Sequence, residues 1–295
     1  MALKERTNEV MIEGILAEKV ERKFDNGAIA GEFIFQTEIV IDGETMTSII
    51  PVSYYATPLT KAGKPNTAFK GIRTILDSAV SLAEVGGDVD QADRIRIRNG
   101  QLGENMFMSQ DRLVSFARIR GNFFDRVKAS DYVPKAQFQV TMVVGDMFPE
   151  ERTEGGETFE TGNLIVLGNI VQYNGTVDEI RFIVKNKKHI DIIKKGWSIG
   201  DTVNAKGVVR YVTREVAGRE ETDADSFGDP IVNTYIRRER ELVITGGSGT
   251  PVEGYDEDEI AQARRDRKLR IAELKDKQNS KEAAPEKSKT TKKDW

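Results

Sequence analysis

The chain has no cysteine and a single histidine, His189, among its 295 residues. The first absence rules out disulfides, thiolate metal sites and cysteine nucleophiles, and the second leaves little imidazole for acid–base chemistry. Aromatic residues make up only 7%, with two tryptophans. No run of about 18 apolar residues is present to span a bilayer, and the N-terminal MALKERTNEV lacks the apolar stretch of a secretory signal. The composition therefore predicts a cytoplasmic protein that makes no membrane contact, carries no cofactor and is not an enzyme. The length predicts about two domains, and 38% hydrophobic content is enough to build real cores.

The net charge of -4 argues against a polyanion binder only until its distribution is read. Residues 146–160 hold six acids and one arginine, 215–229 hold six acids and one arginine, and 253–259 hold five acids. These segments carry -15 between them, so the remainder of the chain holds +11. A basic body with acidic loops can present a positive groove, although charge runs also serve simply as solvated faces.

Hydrophobic patterning gives the order of elements. Residues 8–24 alternate apolar and polar, Asp25-Asn26-Gly27 supplies a turn, and Gly31 to Ile41 alternates again. Asp42-Gly43 signals a second hairpin, and Thr45 to Tyr55 reads as a strand that bulges or runs at an edge because it contains Pro51. Phe69, Ile72, Leu76, Val80 and Ala83 recur at helical spacing, capped by Asn66 or Thr67, which predicts a helix near 66–84. Arg94 to Arg98 then resumes period two before a turn at Asn99-Gly100. Three strands, a helix and two strands is the order of an oligonucleotide-binding (OB) barrel.

A second module is predicted over 113–246, with strands near 113–128, 136–145, 163–173, 177–185, 202–213 and 234–245 and a short helical patch at Ile190 to Lys195. That is more strand than five strands require, so either one hairpin is elaborated or the first strand is shared with the module at 1–112. An echo supports duplication: Ile12-x-Gly14-x-Leu16-x-Glu18-Lys19-Val20 recurs 107 positions later as Ile119-x-Gly121-x-Phe123-x-Asp125-Arg126-Val127. Gly246 to Pro251 reads as linker, extending to 255, before a charged helix at 256–278 whose stripe of Ile260, Ala263, Ile271 and Leu274 is too thin for a core. Residues 279–295 are expected to be disordered. The predicted fold class is mainly β: two OB-like Greek-key barrels in tandem, a C-terminal charged helix and a disordered tail.

Candidate binding residues are basic and aromatic positions on strands. In Arg94-x-Arg96-x-Arg98 the guanidinium groups share one face with Ile95 and Ile97 behind, and Arg118-x-Arg120 repeats the device, with Arg126 nearby. Arginine alternating with isoleucine also marks any half-exposed strand. In Phe123-Phe124 and Tyr54-Tyr55 one ring points inward and one outward. Alternation does not say which, and Phe124 and Tyr55 are taken as the outward pair, able to stack on bases. Tyr173, Trp197, Tyr211 and Tyr235 extend the supply, and Lys185, Lys187 and Lys188 could track phosphates. Catalytic patterns fail: Gly63-Lys64 lacks the spacing and Ser/Thr of a P-loop, Asp256 to Glu259 cannot close around one metal ion, and His189 has only Asp191 near it.

Three stretches, Ile119 to Val127, GETFETGNLIVLGNIVQYNGTVDEIRFIV and RERELVITGG, resemble single-stranded-DNA-binding proteins of tailed bacteriophages that infect Gram-positive bacteria, across residues 8–275. The resemblance implies OB folds that coat single-stranded DNA in replication or recombination, in the host cytoplasm if the gene is a phage's. Bacterial relatives end in an acidic tail with a hydrophobic tip that recruits partner proteins. Here the end is Lys292-Lys293-Asp294-Trp295, so the tip is kept without the acidity, and replication or recombination proteins would meet the C-terminal helix, the tail or the acidic 253–259 segment. The competing expectation is a virion structural or assembly protein whose barrels make protein contacts.

Overall fold

The computed structural model describes residues 3–41, 43–110, 112–154, 156–217 and 234–282. The period-two runs of the first half form strands β1 (Asn8–Lys23), β2 (Ile29–Ile41) and β3 (Glu44–Ala56). Helix α1 (Thr67–Ser78) follows, then β4 (Arg94–Arg98), β5 (Gln101–Ser109), β6 (Arg112–Arg120) and β7 (Phe123–Val127). The second half repeats the order with β8 (Lys135–Glu154), β9 (Glu157–Val171), β10 (Val177–Val184), α2 (Lys187–Gly196), β11 (Thr202–Ala217) and β12 (Thr234–Gly247), and α3 (Glu257–Glu282) comes last.

Both halves close into rings. In the first, β1 pairs with β2 and β2 with β3, all antiparallel, and β3 runs parallel to β6 at Val52↔Ile119 and Ser53↔Arg120. Strand β6 leads into β7, which pairs with β4, and β4 returns to β1. The second ring runs β8, β9, β10, then the parallel contact Ile183↔Val243 to β12, then β11 and back to β8. Each is an OB-like barrel with its helix between the third and fourth strands. Pro51 is accommodated because β3 meets β6 only at the next two residues. The hairpin of β5 and β6 extends past the first ring as an arm that reaches β10.

The rings belong to one 12-stranded sheet. Residues Asn8 to Glu13 of β1 pair with Val140 to Lys135 of β8, so the first strands of the two barrels are laddered together. The surplus of strand material expected in the second half is β6 and β7, which pair with β5, β3 and β4 of the first ring. The Ser48 hydroxyl adds a second tie, accepting from the Tyr211 amide at 2.9 Å.

One continuous apolar cluster fills both barrels, with Phe33, Phe35, Ile50 and Ile119 in the first and Phe138, Met142, Val166 and Phe182 in the second. Ile72 and Ile75 of α1 and Ile190 and Ile193 of α2 plug the respective cores. Asn66 caps α1 by accepting from the Ala68 amide, and Asn186 caps α2 through the Lys188 amide.

Several expectations change. The echoed segments are β1 and the β6–β7 strand of the same ring, and the counterpart of β1 in the second barrel is β8. The shared glycine has a local cause, since both strands curl against close neighbours. A Cβ at Gly14 would lie 2.8 Å from the Gln36 carbonyl oxygen and one at Gly121 would lie 2.9 Å from Phe124 Cζ. Residues 113–127, expected to open the second module, hydrogen-bond to β5, β3 and β4. Helix α1 stops at Ser78, and Val80 and Ala83 lie in a segment whose Leu82 and Ala83 amides donate to Leu16 and Ala17 of β1. The glycine-rich stretch read as linker runs along the second barrel, where Val252 donates to the Thr202 carbonyl at 2.8 Å. Ile260 and Ala263 of α3 are buried against Leu3, Val143, Val171 and Val177, so the thin stripe does dock. The tail expected at 279–295 lies from residue 283 onward outside the described residues, as does Trp295.

Phe124 is buried, with its ring 4.8 Å from Phe33 in an edge-on contact and 6.5 Å from Phe35. Phe124→Ala is therefore expected to cost about 3–5 kcal/mol of stability in urea unfolding. Phe123→Ala, at a partly exposed position, is expected to shift it by only about 0.5 kcal/mol.

Candidate nucleic-acid interface

A groove of about 660 Å³ opens where β3, β5 and β6 of the first barrel face the turn between β9 and β10 of the second. Tyr55, Arg118, Arg120 and Tyr173 line it together, with Asn122, Asn174 and Arg270 at its sides. These residues come from four separate elements, so the site exists only because the barrels are fixed side by side.

Local chemistry sets each side chain. Tyr54 turns inward and its hydroxyl donates to the Val20 carbonyl at 2.8 Å, which by strand alternation sends Tyr55 outward, 57% exposed. Tyr173 sits in the hairpin turn 172–176, closed by the Gln172 amide on Thr176 and by the Asn174 side chain, which accepts from the Thr176 amide and hydroxyl. Held there it is 79% exposed, which leaves most of the ring free to stack. Arg118 donates to the Ser53 hydroxyl at 2.6 Å, and Arg120 reaches the Glu104 carbonyl at 3.5 Å. The Asn8 side chain exchanges two 3.0 Å bonds with the Leu102 backbone, and Gln172 donates to the same carbonyl at 3.1 Å, which pins β5 to β1 and the second barrel.

The groove floor is acidic but compensated. Glu104, whose side chain is fully buried, takes a bidentate contact from Arg267 of α3 at 2.8 and 2.5 Å and a bond from the Ser115 hydroxyl at 2.6 Å. Burial pushes the Glu104 carboxyl up, but the Arg267 and Ser115 hydrogen bonds outweigh it and hold the group below the usual carboxylate range. Asp178 accepts from the Glu104 amide at 3.0 Å and lies 3.9 Å from Arg270. Burial raises its pKa, and the nearby Glu104 charge raises it further.

The other sequence candidates lie elsewhere. Arg96 pairs with the buried Glu13 at 2.6 Å, Arg98 with Asp125 at 2.6 Å and Arg126 with Asp93 at 3.0 Å. Arg94 lies over the Tyr132 ring at 5.7 Å. The ridge does share one face of β4, but much of its charge is already answered by carboxylates. Three aromatic expectations are corrected. Phe124 is core, and Trp197 is buried at the C-terminus of α2 with its indole N–H donating to the Ser248 carbonyl at 2.8 Å. Tyr211 is likewise buried, and Lys185 pairs with Glu241 at 2.6 Å.

Sequence reasoning missed the arm. In its register Gln101, Asn105 and Phe107 share a face with Arg120, Arg118, Phe116 and Arg112. Phe107 and Phe116 are partly exposed and meet edge-on at 6.2 Å, continuing the basic and aromatic surface beyond the groove. The signal was present as Arg112-x-Val114-x-Phe116-x-Arg118-x-Arg120. Among the described residues no group of His, Asp and Glu side chains is placed to hold a metal ion, and no helix is long and apolar enough to cross a membrane.

Residues 6–277 match the family described as YorF. No curated protein matches the sequence. Among solved structures, the chain is similar to a deletion mutant of the single-stranded DNA binding protein from Thermus aquaticus, with a TM-score of 0.50 and 11% identity over 85% of this chain and 98% of that one. The wild-type protein from the same organism gives a TM-score of 0.48 and 11% identity over 86% and 97%. At 11% identity the likeness is one of fold.

The Glu104–Arg267 contact gives a pH signature. A carboxyl held below its ordinary value of 4.5 contributes stability above that pH and loses it as the pH falls through the folded-state value. Arg267→Ala is expected to cost about 3–5 kcal/mol at pH 7, and its gap from the parent in thermal melting should narrow as the pH drops below 4.5. A gap that stays constant down to pH 3 would contradict the assignment.

Proposed function

We propose that this chain, which belongs to the YorF family, binds single-stranded DNA without regard to base sequence. In this reading it is a non-enzymatic protein that coats and protects the strand during replication or recombination. It would act in the cytoplasm, that of the host where the gene is a phage's. The observation that carries the reading is the convergence of Tyr55, Tyr173, Arg118 and Arg120 on one open groove between two OB-like barrels. Exposed rings that gain little from water can stack on any base, and guanidinium groups contact phosphates that every sequence shares.

The chemistry favours a single strand over a duplex. Stacking on Tyr55 and Tyr173 needs bases that are free of a partner, and a groove walled by two barrels admits one strand more readily than a double helix. The Phe107–Phe116 pair and Arg112 extend the path along the arm, so the strand would run from the turn at Tyr173 past Tyr55 and out along β5 and β6. The Arg94, Arg96, Arg98 and Arg126 surface adds longer-range attraction, reduced by Glu13, Asp125 and Asp93. Replication or recombination proteins remain proposed partners through α3 or the residues after it.

Titration of a labelled dT oligonucleotide, followed by fluorescence anisotropy, tests this. Tyr55→Ala and Tyr173→Ala should each weaken binding by about 1–3 kcal/mol, alike for dT, dC and dA strands. Arg118→Ala with Arg120→Ala should weaken binding and flatten the log–log salt dependence by about 1.4, whereas changing Arg94, Arg96 and Arg98 together should do less per charge removed. Unchanged affinity in both tyrosine variants would sink the proposed path.

A further inference from the structure

We infer that α3 is a working component of the groove: its Arg267 and Arg270 supply the positive charge that offsets Glu104 and Asp178, so that the groove attracts a polyanion only while α3 is docked. This rests on the reading of the groove as a nucleic-acid site and adds how that site is completed and controlled.

Glu104 and Asp178 both line the groove, on whose walls Arg118 and Arg120 are the cations supplied by the first barrel. Those two cations against two carboxylates leave no net attraction for phosphate. Helix α3 adds Arg270 to the lining and sets Arg267 against Glu104. Three guanidinium groups then line the groove with two carboxylates, and Arg267, outside the lining, answers the charge of Glu104, so the site becomes cationic. Glu179, 3.3 Å from Arg267, stands outside the lining beside Arg264 and Lys268.

These same contacts also help to hold the helix. Its apolar anchorage is confined to the N-terminal turns, through Ile260 and Ala263, with Tyr255 just ahead of them stacked under Arg6 at 4.3 Å. Farther along, Arg267 grips Glu104 and Arg270 donates to the Val177 carbonyl at 2.8 Å, while Leu269 between them is 62% exposed. Arg264 donates to the Val144 carbonyl as well, so the contacts that seat the middle of α3 include those that set the charge of the groove. A partner that drew α3 away would also release a bound strand.

Three variants, Glu104→Gln, Arg267→Ala and the two combined, test the inference in the full chain with a labelled dT oligonucleotide over a range of NaCl concentrations and with thermal melting. Glu104→Gln should lower the melting temperature yet bind roughly 3- to 10-fold tighter, with a salt slope steeper by about 0.7. Arg267→Ala should weaken binding by a similar factor and flatten the slope. The combined variant should return to within about twofold of the parent, because it restores the charge balance without restoring the ion pair. If Glu104→Gln weakens binding, or the combined variant binds no better than Arg267→Ala, the pair is structural and the inference is overturned while the groove stands. If the parent chain binds no oligonucleotide, the nucleic-acid reading fails, and this inference with it.

Discussion

The ladder between β1 and β8 fuses the two barrels and sets where every groove residue can stand. Six consecutive register pairs, Asn8↔Val140 to Glu13↔Lys135, join the first strands of the two barrels into one sheet. The Ser48–Tyr211 bond and the arm on β10 reinforce this ladder, and together they fix Tyr55 on one barrel relative to Tyr173 beside the other. With them, the turn after β9 is set opposite β3 and β6, and Gln172 and Asn8 can share the Leu102 backbone. The groove is thus a consequence of strand pairing rather than of any single barrel.

The same fusion explains how a chain with net negative charge can hold a cationic site. The acidic residues of 146–160 fall largely on the β8–β9 hairpin, away from the groove lining, and those of 253–259 lead into α3. Within the groove the two carboxylates are each tied down, Glu104 by Arg267 and Ser115, and Asp178 by the Glu104 amide and Arg270. An unpaired carboxylate buried there would oppose both folding and phosphate binding, so its partner arginines serve stability and the proposed function together.

Much of the fold was legible because strand order, turn chemistry and period are local properties. Asn174-Gly175, the Arg94–Arg98 alternation and the Asn66 cap all stand where the patterns put them. The failures have physical causes. A helical period carried through Val80 and Ala83 could not reveal that β1 offers their segment backbone hydrogen bonds at the Leu16 and Ala17 carbonyls. The echo of β1 in β6–β7 reflected two strands curling tightly in one ring, a constraint that selects glycine wherever it occurs. Adjacent aromatic pairs left a two-way choice that only packing resolves: Phe124 went to the core with Phe33, while Tyr54 took the inner place beside Tyr55. The Glu104–Arg267 contact spans 163 residues, and no pattern in one sequence could have announced it.

Hydrogen exchange of the full chain with and without a dT oligonucleotide, read by mass spectrometry, reports whether a strand lies between the barrels. A strand in the groove should protect peptides covering 53–55, 101–107, 116–122 and 172–176, with little change over 94–98. Protection confined to β4 and the Arg126 surface, or spread over the second barrel with none at 172–176, would contradict it.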